Sequence, residues 1–136
     1  MWAGIFLRTL KMMGFNAKGL EIKGLVAKTG QFEGIDIQIG DVFEASKIFN
    51  ENFDFIISRA VLVSGMIDYF FNIPEKEIID RFFAETNSIT KERGVHIHQT
   101  IDSEFLNRGM NNSHFNLIDR YMGFFGEVLI LSKNSI

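Results

Sequence analysis

The sequence contains no cysteine. That excludes a disulfide framework, a thiolate zinc site, an iron–sulfur cluster and a cysteine nucleophile, and nothing points to an oxidising compartment. Proline occurs once, at Pro74, and there is no low-complexity tract and no repeat at a fixed period, so neither a linker nor a domain boundary is indicated. Apolar runs stop well short of the ~18 residues of a membrane span. In AVLVSGMIDYFFNI the interruption is Asp68. The N-terminal stretch MWAGIFLRTLKMM carries Arg8 and Lys11 within or after its apolar part, where a signal peptide would carry its charges first. A cytoplasmic protein with no membrane partner is the expectation. Charge of one sign is also scarce. Fourteen Lys+Arg against 17 Asp+Glu leave a net charge of −3, which is no electrostatic footprint for a phosphate backbone, so no nucleic-acid partner is expected.

What the chain does have is apolar bulk. Fifteen Phe stand against one Trp and two Tyr, and 46% of the 136 residues are hydrophobic. At roughly 100 to 200 residues per domain this is enough for one core spanning 1–136, and too little for two independent lobes or a TIM barrel.

Residues 4 to 13 place Phe6, Leu10 and Met13 on one helical face, and Gly14 follows as a left-handed stop. Ala17 to Ile22 reads as a short strand, Leu25 to Phe32 as a short helix, and Ile35 to Ile39 alternates with the period of a half-exposed strand. Phe53 to Ser58 is nearly continuously apolar, which suits a central strand covered on both faces. The strongest helix signal runs from Pro74 to about Lys91, with Glu75 and Glu77 at its positive end, Lys91 and Arg93 at the other, and Gly94 closing it. Its stripe of Ile78, Ile79, Phe82, Phe83 and Ile89 should cover a sheet, and Phe70 and Phe71 join Phe82 and Phe83 as core candidates. Val95 to Thr100 is the next strand. After a polar, irregular stretch, Phe115 to Tyr121 and Glu127 to Ser132 form a hairpin around Gly123 and Gly126. The fold class is α/β: a Rossmann-like open, mostly parallel sheet with helices on both faces and a C-terminal antiparallel hairpin.

The order of these segments resembles class I S-adenosylmethionine-dependent methyltransferases. The matching points are GLEI with Glu21, IGDVF with Asp41, FDFIISRAVL with Asp54 and Ser58, a long helix before RGVHIHQT, and the closing RYMGFFGEVLILSK. Nicotinamide-binding Rossmann domains end in parallel strands instead, so a nicotinamide-binding half explains Glu21 but not the hairpin. Relative to the family, the first strand and its GxGxG turn are not represented. MWAGIFLRTLKMMGFNAKGLEI aligns with the end of that turn, the first helix and the second strand, leaving Gly4 as the sole remnant and an N-terminally truncated domain as the expectation.

The resemblance implies S-adenosylmethionine as cofactor and methyl transfer as the reaction. Glu21 would accept hydrogen bonds from both ribose hydroxyls with Ile22 beside it; the bland alternative is a solvated charge. Asp41 would meet the adenine amino group with Val42 packed on the ring; the alternative is an ordinary helix cap. Ser58 and Arg59 sit where a strand leaves the sheet, on the side where open α/β sheets bind ligands. Asp54 reads as structural. His96 and His98 share one strand face, but no third ligand stands near them, so they read as core or edge histidines and no metal is expected, with a base in the cleft as the alternative for either. No residue is singled out as catalytic, because the sulfonium carries the reactivity. The Asn/Asp-Pro-Pro-aromatic signature of amino-methylating relatives is missing, so adenine or glutamine N-methylation loses weight; a small-molecule acceptor is the expectation. A non-catalytic remnant serving as an interaction module is the rival reading. Sheet edges left without a partner would favour self-association.

Overall fold

The computed structural model describes residues 2–21, 24–32, 34–59, 73–124 and 126–134. They fall into two compact units, Met1–Ile48 and Phe49–Ile136.

The first unit begins with α1 (Trp2–Met12). Gly14 ends it at φ +93°, and Phe15 N and Gly14 N donate to Leu10 O and Lys11 O, a paired closure that satisfies the last helical carbonyls. Met13, expected on the apolar face, is past the helix end and exposed. Next come β1 (Gly19–Glu21), α2 (Gly24–Phe32) and β2 (Ile37–Ile39), a strand-helix-strand unit whose two strands pair in parallel, Glu21 opposite Ile39. Both strands are shorter than their apolar patterns. Ala27, Ile35 and Ile37 make the small core, and Leu7 of α1 packs against it. Gly19 is what allows that approach: a Cβ there would lie 2.6 Å from Leu7 Cδ1. A 3₁₀ turn (Val42–Glu44) and α3 (Ala45–Ile48) complete the unit.

The second unit holds β3 (Phe53–Arg59), α4 (Glu75–Ser88), β4 (Thr90–Thr100), α5 (Ser103–Met110), β5 (Phe115–Gly123) and β6 (Gly126–Lys133). The strand order is β3-β4-β6-β5. β3 and β4 are parallel, while β6 runs antiparallel to both its neighbours. The expected terminal hairpin is present, and its second strand inserts between the first and β4.

Three expectations are corrected here. Gly94 does not close α4, which stops at Ser88. The chain turns into β4 at Thr90, and Gly94 lies inside that strand, buried, where a Cβ would come 2.4 Å from Thr90 Cγ2 and 2.8 Å from Lys91 O. The pairing of β3 with β4 shifts register between Phe53 and Phe55, and Arg93 takes φ 61° in the extra loop of backbone. Among the described residues β3 is not central in its sheet but ends it. Ile56 and Ser58 share its covered face, whereas Phe55 and Ile57 on the other are 52% and 40% exposed. Finally, the stretch read as irregular contains α5, whose N-cap Asp102 accepts from Glu104 N and Phe105 N. The core lies between α4, α5 and one sheet face: Ile78, Ile79, Phe82 and Phe83 from α4, Phe105 and Leu106 from α5, Phe115 from β5, and Leu129 and Leu131 from β6. Phe70 and Phe71 lie outside the described residues.

Candidate functional site

Parallel strands aim their carboxyl ends at one edge of a sheet, so residues at or just beyond those ends can converge on one ligand. In the first unit Glu21 is the last residue of β1, and its carbonyl accepts from Gly40 N at 3.1 Å. That bond joins the end of β1 to the turn after β2, where Asp41 and Val42 follow. All three side chains are half-buried. Gly40 is what lets Ile48 pack against this turn, since a Cβ there would sit 2.3 Å from Ile48 Cδ1.

Asp41 is the N-cap of the 3₁₀ turn: its Oδ1 accepts from Phe43 N at 3.0 Å, as in the bland alternative weighed for it. The cap fixes the rotamer and leaves the carboxylate at the sheet edge. Gly4 lies in the first turn of α1. Ile22 lies outside the described residues. Acceptor carboxylates at the ends of two adjacent parallel strands, with Val42 beside them, suit a ligand bearing hydroxyl and amino donors and an apolar ring.

In the second unit Ser58 and Arg59 are the last two residues of β3, in register with His98 and Gln99 of β4. Ser58 Oγ lies 2.5 Å from His98 Nδ1. His96 and His98 share the face covered by α4 and α5, as period two requires, and both are fully buried. Burial holds the His96 imidazole down to about 3, with the Lys133 cation adding to it, and holds His98 well below its ordinary range, with His96 adding to it. Both are neutral at physiological pH. The sequence reads the histidines as core or edge groups, of which the structure selects the core, and does not show their link to Ser58, because only the register of two strands 40 residues apart brings the groups together. Asp54, read as structural, is an exposed residue of β3 and pairs with Lys91 at 3.4 Å.

A shallow depression lined by Asp80, Arg108, Asn112 and His114 lies at the amino-end side of the same sheet, opposite Ser58 and Arg59. Its charged groups are already paired: Arg108 Nε donates to Asp80 Oδ1 at 2.8 Å, and that guanidinium holds the Asp80 carboxyl below the usual range.

No protein-family model and no curated protein sequence matches the chain. Solved structures do match. TrmN from Thermus thermophilus superposes with a TM-score of 0.69 over 95% of this chain at 16% identity. A SAM-dependent methyltransferase from Methanosarcina mazei gives 0.58 over 86% at 11% identity, and the N-methyltransferase NodS from Bradyrhizobium japonicum 0.58 over 85% at 10%. The chain spans 40% of the TrmN chain, 81% of the Methanosarcina chain and 72% of the NodS chain. It therefore has the class I methyltransferase-like fold, a Rossmann-like α/β arrangement.

Proposed function

We propose that the chain is a methyltransferase-like domain spanning 1–136 that binds S-adenosylmethionine and serves methyl transfer to a small-molecule acceptor. The observation that carries this reading is the order β3-β4-β6-β5 with its antiparallel closing hairpin, found in a chain that superposes on methyltransferases. In the first unit Glu21, Ile22, Asp41 and Val42, with Gly4 of α1, would be cofactor contacts; in the second unit Ser58 and Arg59 at the end of β3 are cofactor-contact candidates of their own. Its sulfonium supplies the reactive methyl group. Glu21 supplies an ionised acceptor for ribose hydroxyls, Asp41 an acceptor for the adenine amino group, and Val42 an apolar contact for the ring. The protein's part is binding and orientation.

Calorimetric titration with S-adenosylmethionine and S-adenosylhomocysteine tests the reading. Glu21→Ala is expected to weaken binding by about 1–3 kcal/mol, since bound hydroxyls lose a charged acceptor. Equal affinities would make Glu21 a surface charge only. A second reading, a non-catalytic interaction module of the same fold, is favoured by the commitment of Asp41 to capping Phe43 N. Absence of binding by either compound would select it.

A further inference from the structure

The bond between Ser58 and His98 is one end of a longer run. His98 Nε2 lies 3.1 Å from His96 Nδ1, His96 Nε2 lies 2.8 Å from Thr90 Oγ1, and Thr90 Oγ1 donates to Thr86 O at 2.5 Å. Aromatic rings enclose it: Phe82, Phe83 and Phe105 stand 5.4 to 5.5 Å from the His98 ring, and Phe115 is 4.6 Å from His96. At the far end Lys133 Nζ donates to Asn87 O and Thr90 O.

The direction of every proton in this run follows from its last member. A backbone carbonyl can only accept, so Thr90 spends its single hydroxyl proton on Thr86 O. Thr90 Oγ1 must then accept, which places the His96 proton on Nε2. A neutral imidazole has one N–H, so His96 Nδ1 accepts and His98 likewise carries its proton on Nε2. His98 Nδ1 is then an acceptor, and Ser58 donates inward. Neutrality is required, because a proton added to either ring would reverse the bond at Ser58. Burial among aromatic rings, the neighbouring imidazole and the Lys133 cation all oppose that addition. The run is also no route for removing a substrate proton, since it ends on a carbonyl that cannot be protonated.

We propose that the Thr90–His96–His98 run is a tautomer lock that commits the Ser58 hydroxyl proton to the core and leaves Ser58 Oγ as an obligate acceptor, selecting a ligand group that donates: a hydroxyl, an amine or an ammonium. The ligand half rests on the reading of the β3 carboxyl end as a ligand-binding edge. Ser58 is the contact residue, and Thr90, His96 and His98 are positioning residues that act through it.

Two measurements on the full chain test this. In a His114→Gln background with ¹⁵N-labelled histidine, two-bond ¹H–¹⁵N spectra at pH 7 should show two neutral imidazoles, both protonated at Nε2. Thr90→Val should release the Nδ1–H form, and Thr90→Ser should restore the lock. An Nδ1–H tautomer or an imidazolium in the Thr90-containing protein overturns the proposal. Calorimetry with S-adenosylhomocysteine, which carries hydroxyl and amino donors, should show binding about 3- to 30-fold weaker for Ser58→Ala, as expected for one lost hydrogen bond. Thr90→Val should weaken it in the same direction without touching the ligand. Unchanged affinity in Ser58→Ala overturns the ligand half with the lock intact. Failure of the unsubstituted chain to bind overturns the cofactor reading and the ligand half together, while the spectra still decide the lock.

Discussion

At the scale of single residues, buried titratable groups give the molecule two opposed pH dependences. His96, held down to about 3, and His98, held well below its ordinary range, are neutral in the fold but titrate near 6.5 once unfolded, so below that value the unfolded chain binds more protons. Their contribution is present above pH 6.5 and lost as the pH falls below it. Urea denaturation at pH 7, 6 and 5 should show a steep loss of stability. A flat profile would mean that the rings reach water or a counter-ion. Glu75 has the opposite sign. Hydrogen bonding to Asp102 and partial burial raise its carboxyl to about 7, so its contribution is full below the ordinary value of 4.5 and is lost as the pH rises from there through about 7. From pH 4.5 to 7 this opposes the rise from the histidines, so Glu75→Gln should steepen the gain in melting temperature between pH 5 and 7. A Glu75→Gln profile parallel to the parent's would show that the fold does not raise the Glu75 carboxyl.

At the scale of elements, α5 shows why a polar stretch can be a helix. Asp102 caps it, and Phe105, Leu106 and Gly109 form a narrow apolar stripe among residues that otherwise read as loop. Gly109 normally weakens a helix by about 1 kcal/mol relative to Ala. Here the packing outweighs that cost. A Cβ would lie 2.7 Å from Leu129 Cδ2 and 3.0 Å from Phe83 Cζ, both on side chains that are fully buried and cannot give way. Gly109→Ala is therefore expected to destabilise the fold by about 1–2 kcal/mol by chemical denaturation, overpacking exceeding the gain in propensity. A stabilised variant would show that β6 and α4 yield at this contact. α4 makes the complementary point. Pro74, Glu75 and Glu77 announce its start plainly, whereas its end was misread, because Gly94 serves a tight passage past Thr90 in β4 and not a helix stop.

At the scale of the whole molecule, the feature with the clearest physical consequence is β5. Among the described residues it ends its sheet, and Leu117, Ile118, Tyr121 and Met122 are each about half exposed or more. The register shift between Leu117 and Asp119 blunts the edge, as bulges do, yet apolar area remains on both faces of the strand. Concentration-dependent self-association is expected by light scattering, and replacing Ile118 and Met122 together with Lys should suppress it. A monomer at every concentration would show that the bulge is sufficient protection.

The sequence by itself determined the local elements and their order: α1 with its glycine closure, the β1-α2-β2 unit, the start of α4, the closing hairpin, and hence the fold class. It could do so because helical and strand periods, caps and turn glycines act over fewer than about ten residues. It also placed Glu21 and Asp41 at strand ends and marked His96 and His98 as one face. What only the tertiary structure decided depends on register between distant segments. The exposed edge position of β3, the insertion of β6 between β4 and β5, and the meeting of Ser58 with His98 across 40 residues follow from which strands pair and how they are offset. No local pattern encodes that choice, because pairing is settled by burial of the whole sheet face against α4 and α5. The same burial turns two ordinary histidines into neutral groups with a defined direction.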